Sequence, residues 1–291
     1  GNDNISLQQM IDEISSDRLL APAIFPTGFL EGESPYSARN GFVVKDLKGA
    51  RLAIDWYASH GYHQLKIYNS FPKEVLKETV AYAHQRGLRV SGHVPAFMTA
   101  EEVINAGFDE IQHINQLLLN FLVKPDTDTR TLERFYLPAK QVAGLDLQSP
   151  KVKKYIKLMK EKGISVDPTL ATFDFLKKVD GTVGDPWKDI VDHLPPDLQR
   201  RYHTAELEIP DAETAKVYAK SYAKMVEFVG MMYKAGIPVV AGTDELAGFT
   251  LQGELELLVK AGLTPAQALQ VATLNGARFS NAASHKGQIA V

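Results

Sequence analysis

The chain has no cysteine, which excludes disulfides and thiolate metal ligands. No apolar run comes near the roughly 20 residues that a membrane-spanning helix needs. Lys and Arg are scattered along a chain of net charge −3, so the basic patch expected of a nucleic-acid surface is missing. The opening Gly1-Asn2-Asp3-Asn4 is polar and shows none of the apolar run of a signal peptide. What is present is an ordinary globular composition, 45% hydrophobic and 23% charged over 291 residues, enough to bury a large core. One barrel domain of ordinary size uses about 250 residues, so residues 1–291 read as a single domain.

Short apolar runs alternate with amphipathic stretches, the pattern of βα units around a parallel sheet. Strands are expected to begin at Leu19, Gln64, Leu88, Glu110, Ile164 and Ile237, with a Gly/Pro-rich loop over Pro26 to Pro35. Helices are expected over Ser6 to Ser15, Leu47 to His60, Lys73 to Arg86, Thr99 to Ala106, Ser149 to Lys162, Ala212 to Ala235, Thr250 to Lys260 and Pro265 to Leu274. The fold class that follows is α/β, a TIM-type (β/α)₈ barrel. A closed barrel needs eight strands. Six are visible, so the barrel reads as incomplete, with the missing strands expected upstream of residue 1. Two long connections, Asn115 to Gln148 and Phe173 to Asp211, follow strands and would lie at the barrel's C-terminal face. Each reads either as a substrate wall or as decoration. The run Leu117 to Val123 within the first is either a hydrophobic wall or a buried helix.

Four strand ends carry polar residues that packing alone does not want: Lys66, His93, His113 and Asp244. Both faces of a strand in a parallel barrel are mostly buried, and a charge there is costly unless paired or metal-bound. Each has an ordinary reading by itself. A lone histidine is usually a hydrogen-bonded core residue, Asp244 could cap a helix, and Lys66 could snorkel. At the ends of successive strands they would converge on one mouth. Imidazole nitrogens and carboxylate-type oxygens suit zinc or a similar divalent ion. Tyr68, two residues past Lys66, would share its side of the strand and could meet a substrate oxygen or simply pack. Among the remaining histidines, surface positions account for 60, 63, 84, 193 and 285. His203 lies in the second long connection and is a candidate substrate contact.

From about Arg18 to Val291 the sequence resembles the amidohydrolase superfamily, in particular its imidazolonepropionase and prolidase-related branch. The resemblance rests on Lys66-Ile67-Tyr68, Gly92-His93-Val94-Pro95, Glu110-Ile111-Gln112-His113, Asp167-Pro168-Thr169-Leu170 and Gly242-Thr243-Asp244. It continues through Leu263 to Leu269 and Ala272 to Ala277. It implies a carboxylated Lys66, metal-ligand histidines at 93 and 113, and an Asp244 that binds metal and shuttles the proton. The implied cofactor is a divalent metal, most often zinc, and the implied reaction is hydrolysis of an amide, cyclic amide or peptide-like bond by metal-activated water.

The family's His-x-His strand and β-sandwich have no counterpart here, since none of the eight histidines forms such a pair. That implies one or two metals in an intact enzyme, none or one in this chain, and impaired activity. The alternatives are a non-catalytic barrel fragment and a phosphotriesterase-like hydrolase. The expected partners are a small-molecule or peptide-like substrate and, through open strand edges, a second copy of the chain. Neither nucleic acid nor membrane is expected. The resemblance suits an exported, periplasmic or secreted protein as well as a cytoplasmic one.

Overall fold

The computed structural model describes residues 3–246 and 248–289. The polar opening at Gly1 and Asn2, the residue Ala247 and the closing Ala290 and Val291 lie outside them. The chain forms two compact units, one of Gly1–Ile111 with Lys124–Thr131 and one of Gln112–Val123 with Leu132–Val291.

The first unit opens with α1 (Asn4–Ser15), capped by the Asp3 carboxylate, which accepts the Ile5 and Ser6 N–H groups. Next come β1 (Thr27–Gly32), β2 (Phe42–Val44), α2 (Leu47–Ser59), β3 (Gln64–Ile67), α3 (Leu76–Gln85), β4 (Arg89–Gly92) and α4 (Ala100–Ala106). β5 (Glu110–Gln112) begins in this unit, and its last residue belongs to the second. Four of these strands pair in parallel in the order β2-β1-β3-β4. α2 packs on the sheet through Ala50, Ala53, Ile54 and Tyr57. The buried Tyr57 hydroxyl accepts the Phe29 N–H and donates to the Phe29 carbonyl, and burial pushes it up to about 12.

The second unit holds α5 (Ile114–Leu119), α6 (Glu133–Gln141), α7 (Pro150–Glu161), β6 (Ser165–Asp167), α8 (Leu170–Phe173), α9 (Pro196–His203), α10 (Ala212–Lys234), α11 (Thr250–Lys260), α12 (Pro265–Gln270) and α13 (Gly276–Phe279). α10 supplies much of the core through Tyr218, Tyr222, Met225, Phe228, Val229 and Met232. β6 is met by a parallel bridge between Val166 and Val239.

Several expectations need correction. Leu19 to Phe25 is not a strand, and the strand lies in the expected loop, at Thr27–Gly32. Pro22 has no N–H to give a ladder, and Leu20 is fully exposed, so nothing holds that run in a sheet. β2, a strand of three residues, was not anticipated. The run from Ile237 shrinks to the single bridge at Val239, next to Pro238. About half of the first long connection is helical, and Leu117 to Leu119 lie in a buried helix rather than a wall. The expected helix over Pro265 to Leu274 is α12 followed by a wider π turn at Val271–Asn275.

Candidate active site

In the first unit, Lys66, Tyr68 and His93 gather at one end of β3 and β4. The register pairs Lys66 with Ser91 and Ile67 with Gly92, so the two strands run out together. The His93 N–H donates to the Ile67 carbonyl at 2.9 Å. Gly92 stands at φ +123°, and a Cβ there would lie 2.2 Å from the Ile67 carbonyl oxygen, so only glycine admits this approach. The His93 and Tyr68 rings lie 4.1 Å apart, and the Lys66 ammonium sits 5.9 Å from the Tyr68 ring centre. His93 is buried, and its Nδ1 lies 2.7 Å from Asn69 Oδ1. An amide oxygen only accepts, so that bond puts a proton on Nδ1 and leaves Nε2 as the nitrogen that could ligate a metal.

In the second unit, the chain leaves β5 at His113, whose φ is +70°. Its N–H donates to the Asp167 carbonyl at 2.7 Å, and the next N–H, of Ile114, to the Pro168 carbonyl at 3.0 Å. The buried imidazole has Nδ1 2.8 Å from Thr169 Oγ1 and Nε2 3.6 Å from Asp244 Oδ2. A separation of 3.6 Å is too long for a hydrogen bond. Two atoms that each bind one zinc ion at about 2.0–2.1 Å in tetrahedral array lie roughly 3.4 Å apart, so the spacing suits a shared ion. Asp244 is half exposed and also has a positive φ, +50°. Just before it, a Cβ on Gly242 would lie 2.1 Å from the Asp167 carboxylate, so the glycine permits that approach.

His203 is the last residue of α9, and its Nδ1 lies 2.8 Å from the Gln199 carbonyl. The same helix reaches the residue after Asp244, because Arg201 pairs with Glu245 at 3.1 Å and the Tyr202 hydroxyl donates to it at 3.4 Å. Leu246 packs against Trp187, Val191, Leu194 and Tyr202. Part of the second long connection is thereby anchored beside Asp244.

The structure brings together Lys66, Tyr68 and His93 within one unit and His113 and Asp244 within the other. The donor chemistry fits a divalent metal, since each histidine has a neutral oxygen beside Nδ1, which would leave Nε2 to ligate. Among the described residues, no group of three or more His, Asp or Glu side chains assembles to hold an ion. Sequence reasoning missed Asn69 and Thr169, the partners that orient the two imidazoles, because a neutral polar residue in a turn carries no signal of its own. It also missed Glu254, whose helical spacing with Thr250, Leu257 and Leu258 placed a carboxylate on an apolar face.

The model of the amidohydrolase family matches residues 66–291, and the chain belongs to that family. It is 26% identical over 211 residues to an uncharacterised protein of Mycobacterium tuberculosis, covering 71% of this chain and 40% of that protein. Among solved structures, it is similar to a bottromycin amidohydrolase with a TM-score of 0.69 and 18% identity, over 94% of this chain and 59% of that one. It is also similar to a Xaa-Pro dipeptidase with methionine bound in its active site, TM-score 0.61 and 18% identity, over 100% of this chain and 65% of that one. These likenesses place the chain in the α/β class with the TIM-type barrel fold of the family. The chain spans well under half the length of the curated relative it matches.

Proposed function

We propose that the chain is the catalytic barrel portion of a metal-dependent hydrolase that cleaves amide, cyclic amide or peptide-like C–N bonds. The observation that carries this reading is the His113–Asp244 pair, an imidazole nitrogen and a carboxylate oxygen 3.6 Å apart, at the ends of two core segments of a family member. The candidate donors are Lys66 and His93 within the first unit and His113 and Asp244 within the second; Lys66 would be carboxylated, and zinc is the ion that best suits nitrogen and oxygen ligands. A divalent ion, when bound, supplies Lewis acidity for the attacking water and the scissile carbonyl. Asp244 Oδ2 takes the water's proton and delivers it to the leaving nitrogen, a role its half-exposed position allows. Asn69 and Thr169 hold the two imidazoles through Nδ1. Tyr68 offers a hydroxyl, and His203 a ring, to substrate.

The test is hydrolysis of a panel of Xaa-Pro dipeptides, N-acyl amino acids and cyclic amides by the zinc-supplemented chain and by Asp244→Asn. Loss of proton transfer should lower kcat by about 10²–10⁴ on any substrate that is cleaved. Equal rates for the parent and Asp244→Asn would remove Asp244 from the chemistry.

A further inference from the structure

Glu254 lies in α11 with no exposed surface. Its Oε2 accepts the Ala171 N–H at 2.7 Å. Its Oε1 meets no hydrogen-bond partner among the described residues. A fully buried carboxyl in this state has a job to do or a cost to carry. The peptide beside it is gripped from another side as well, because the buried Tyr222 hydroxyl of α10 donates to the Leu170 carbonyl at 2.9 Å.

The turn held in this way reaches outward with two side chains. Thr169 Oγ1 lies 2.8 Å from His113 Nδ1. The Thr172 hydroxyl donates to the carbonyl of Thr243, the residue before Asp244. One turn therefore touches both sides of the His113–Asp244 pair. Thr169 stands at φ +47°, ψ +47°, a left-handed conformation that a β-branched residue adopts only when its surroundings force it. Glu254 and Tyr222 are the groups that grip the peptides just after it.

We propose that Glu254 is a positioning residue. Through the Thr169–Thr172 turn it fixes the orientation of the His113 imidazole and its spacing from Asp244. This deepens the reading of His113 and Asp244 as metal donors and rests on it. An ordinary helix cap for α8 would account for the Ala171 bond. It would not account for a strained threonine whose hydroxyl is aimed at the candidate ligand, or for the second contact at Thr243.

The experiment uses the full chain labelled with ¹⁵N-histidine, as parent, Glu254→Leu and Glu254→Gln. The first readout is the set of ring nitrogen shifts of His113 and His93 without metal. The second is zinc affinity by competition with a chelator. Glu254→Leu should move the His113 ring signals, leave those of His93 in place, and weaken zinc by about 10–100-fold, the usual effect of losing a partner behind a ligand. Glu254→Gln should restore both, because its amide oxygen can still accept the Ala171 N–H. Should Glu254→Leu fail to fold, Thr169→Val and Tyr222→Phe test the same chain of contacts, and either should move the His113 signals. Unchanged His113 signals in the folded variants would overturn the proposal. A parent that binds no zinc while its Glu254→Leu signals move would overturn the metal reading and leave the positioning role standing.

Discussion

The two units solve one problem in parallel, and the difference between their solutions is instructive. Each has a glutamate with no exposed surface, Glu31 in the first and Glu254 in the second. Each glutamate holds a turn, and each turn presents a neutral oxygen to a histidine Nδ1. Glu31 Oε1 accepts the Ser70 N–H at 2.7 Å, and the preceding residue, Asn69, meets His93. Glu254 Oε2 accepts the Ala171 N–H, and Thr169, two residues earlier, meets His113. The difference lies in the number of donors. Glu31 also accepts the Gly32 N–H at 2.9 Å and, through Oε2, the Ala38 N–H at 3.4 Å. Glu254 accepts one backbone N–H, that of Ala171, and among the described residues its second oxygen meets no hydrogen-bond partner. Burial raises both carboxyls above the usual range. For Glu254 it reaches about 7. More N–H donors offset more of the desolvation, so Glu31 is the firm anchor and Glu254 the precarious one.

The largest test of this contrast is truncation. Glu31→Leu leaves the Gly32 and Ser70 N–H groups buried without acceptors, and at about 1–3 kcal/mol for each such group the cost should be about 4 kcal/mol in urea unfolding. Glu254→Leu should cost about 2 kcal/mol on the same scale. A Glu254→Leu variant that loses as much as Glu31→Leu would break the comparison.

The second test is pH. A carboxyl whose folded value is raised binds more protons in the folded state than in the unfolded one. Its stabilising share is present below 4.5 and is lost as pH rises through about 7. At 1.36 kcal/mol per pH unit, that range amounts to about 3 kcal/mol. Glu254→Gln removes this dependence, so its stability relative to the parent should rise by up to about 3 kcal/mol between pH 4.5 and pH 8. An unchanged difference across that range would show that Glu254 stays ionised.

The smallest effect belongs to Tyr222→Phe. Losing one buried hydroxyl donor from the Leu170 carbonyl should lower stability by about 1 kcal/mol. A neutral result would assign the grip on the turn to Glu254 alone.

Much of this arrangement is legible in the sequence. Strong helical periodicity places α2, α7, α10 and α11 within a residue or two. Strand ends announce Lys66, His93, His113 and Asp244 because a polar residue interrupts an apolar run. Leu19 to Phe25 misleads because strand formation depends on a partner, and a run of apolar residues cannot show that Thr27–Gly32 takes the partner instead. Asn69 and Thr169 are invisible for a related reason. Their importance comes from what they face across 24 and 56 residues of chain, and neither distance appears in local sequence. Glu254 was within reach, as a carboxylate on the buried face of an amphipathic helix.

The most direct measurement is the metal content of the purified chain by elemental analysis, beside the chain with His93→Ala and His113→Ala together. The account predicts about one equivalent of zinc in the parent and its loss in the double variant, with both proteins folded. No bound metal in either protein, even after zinc is added, would contradict it.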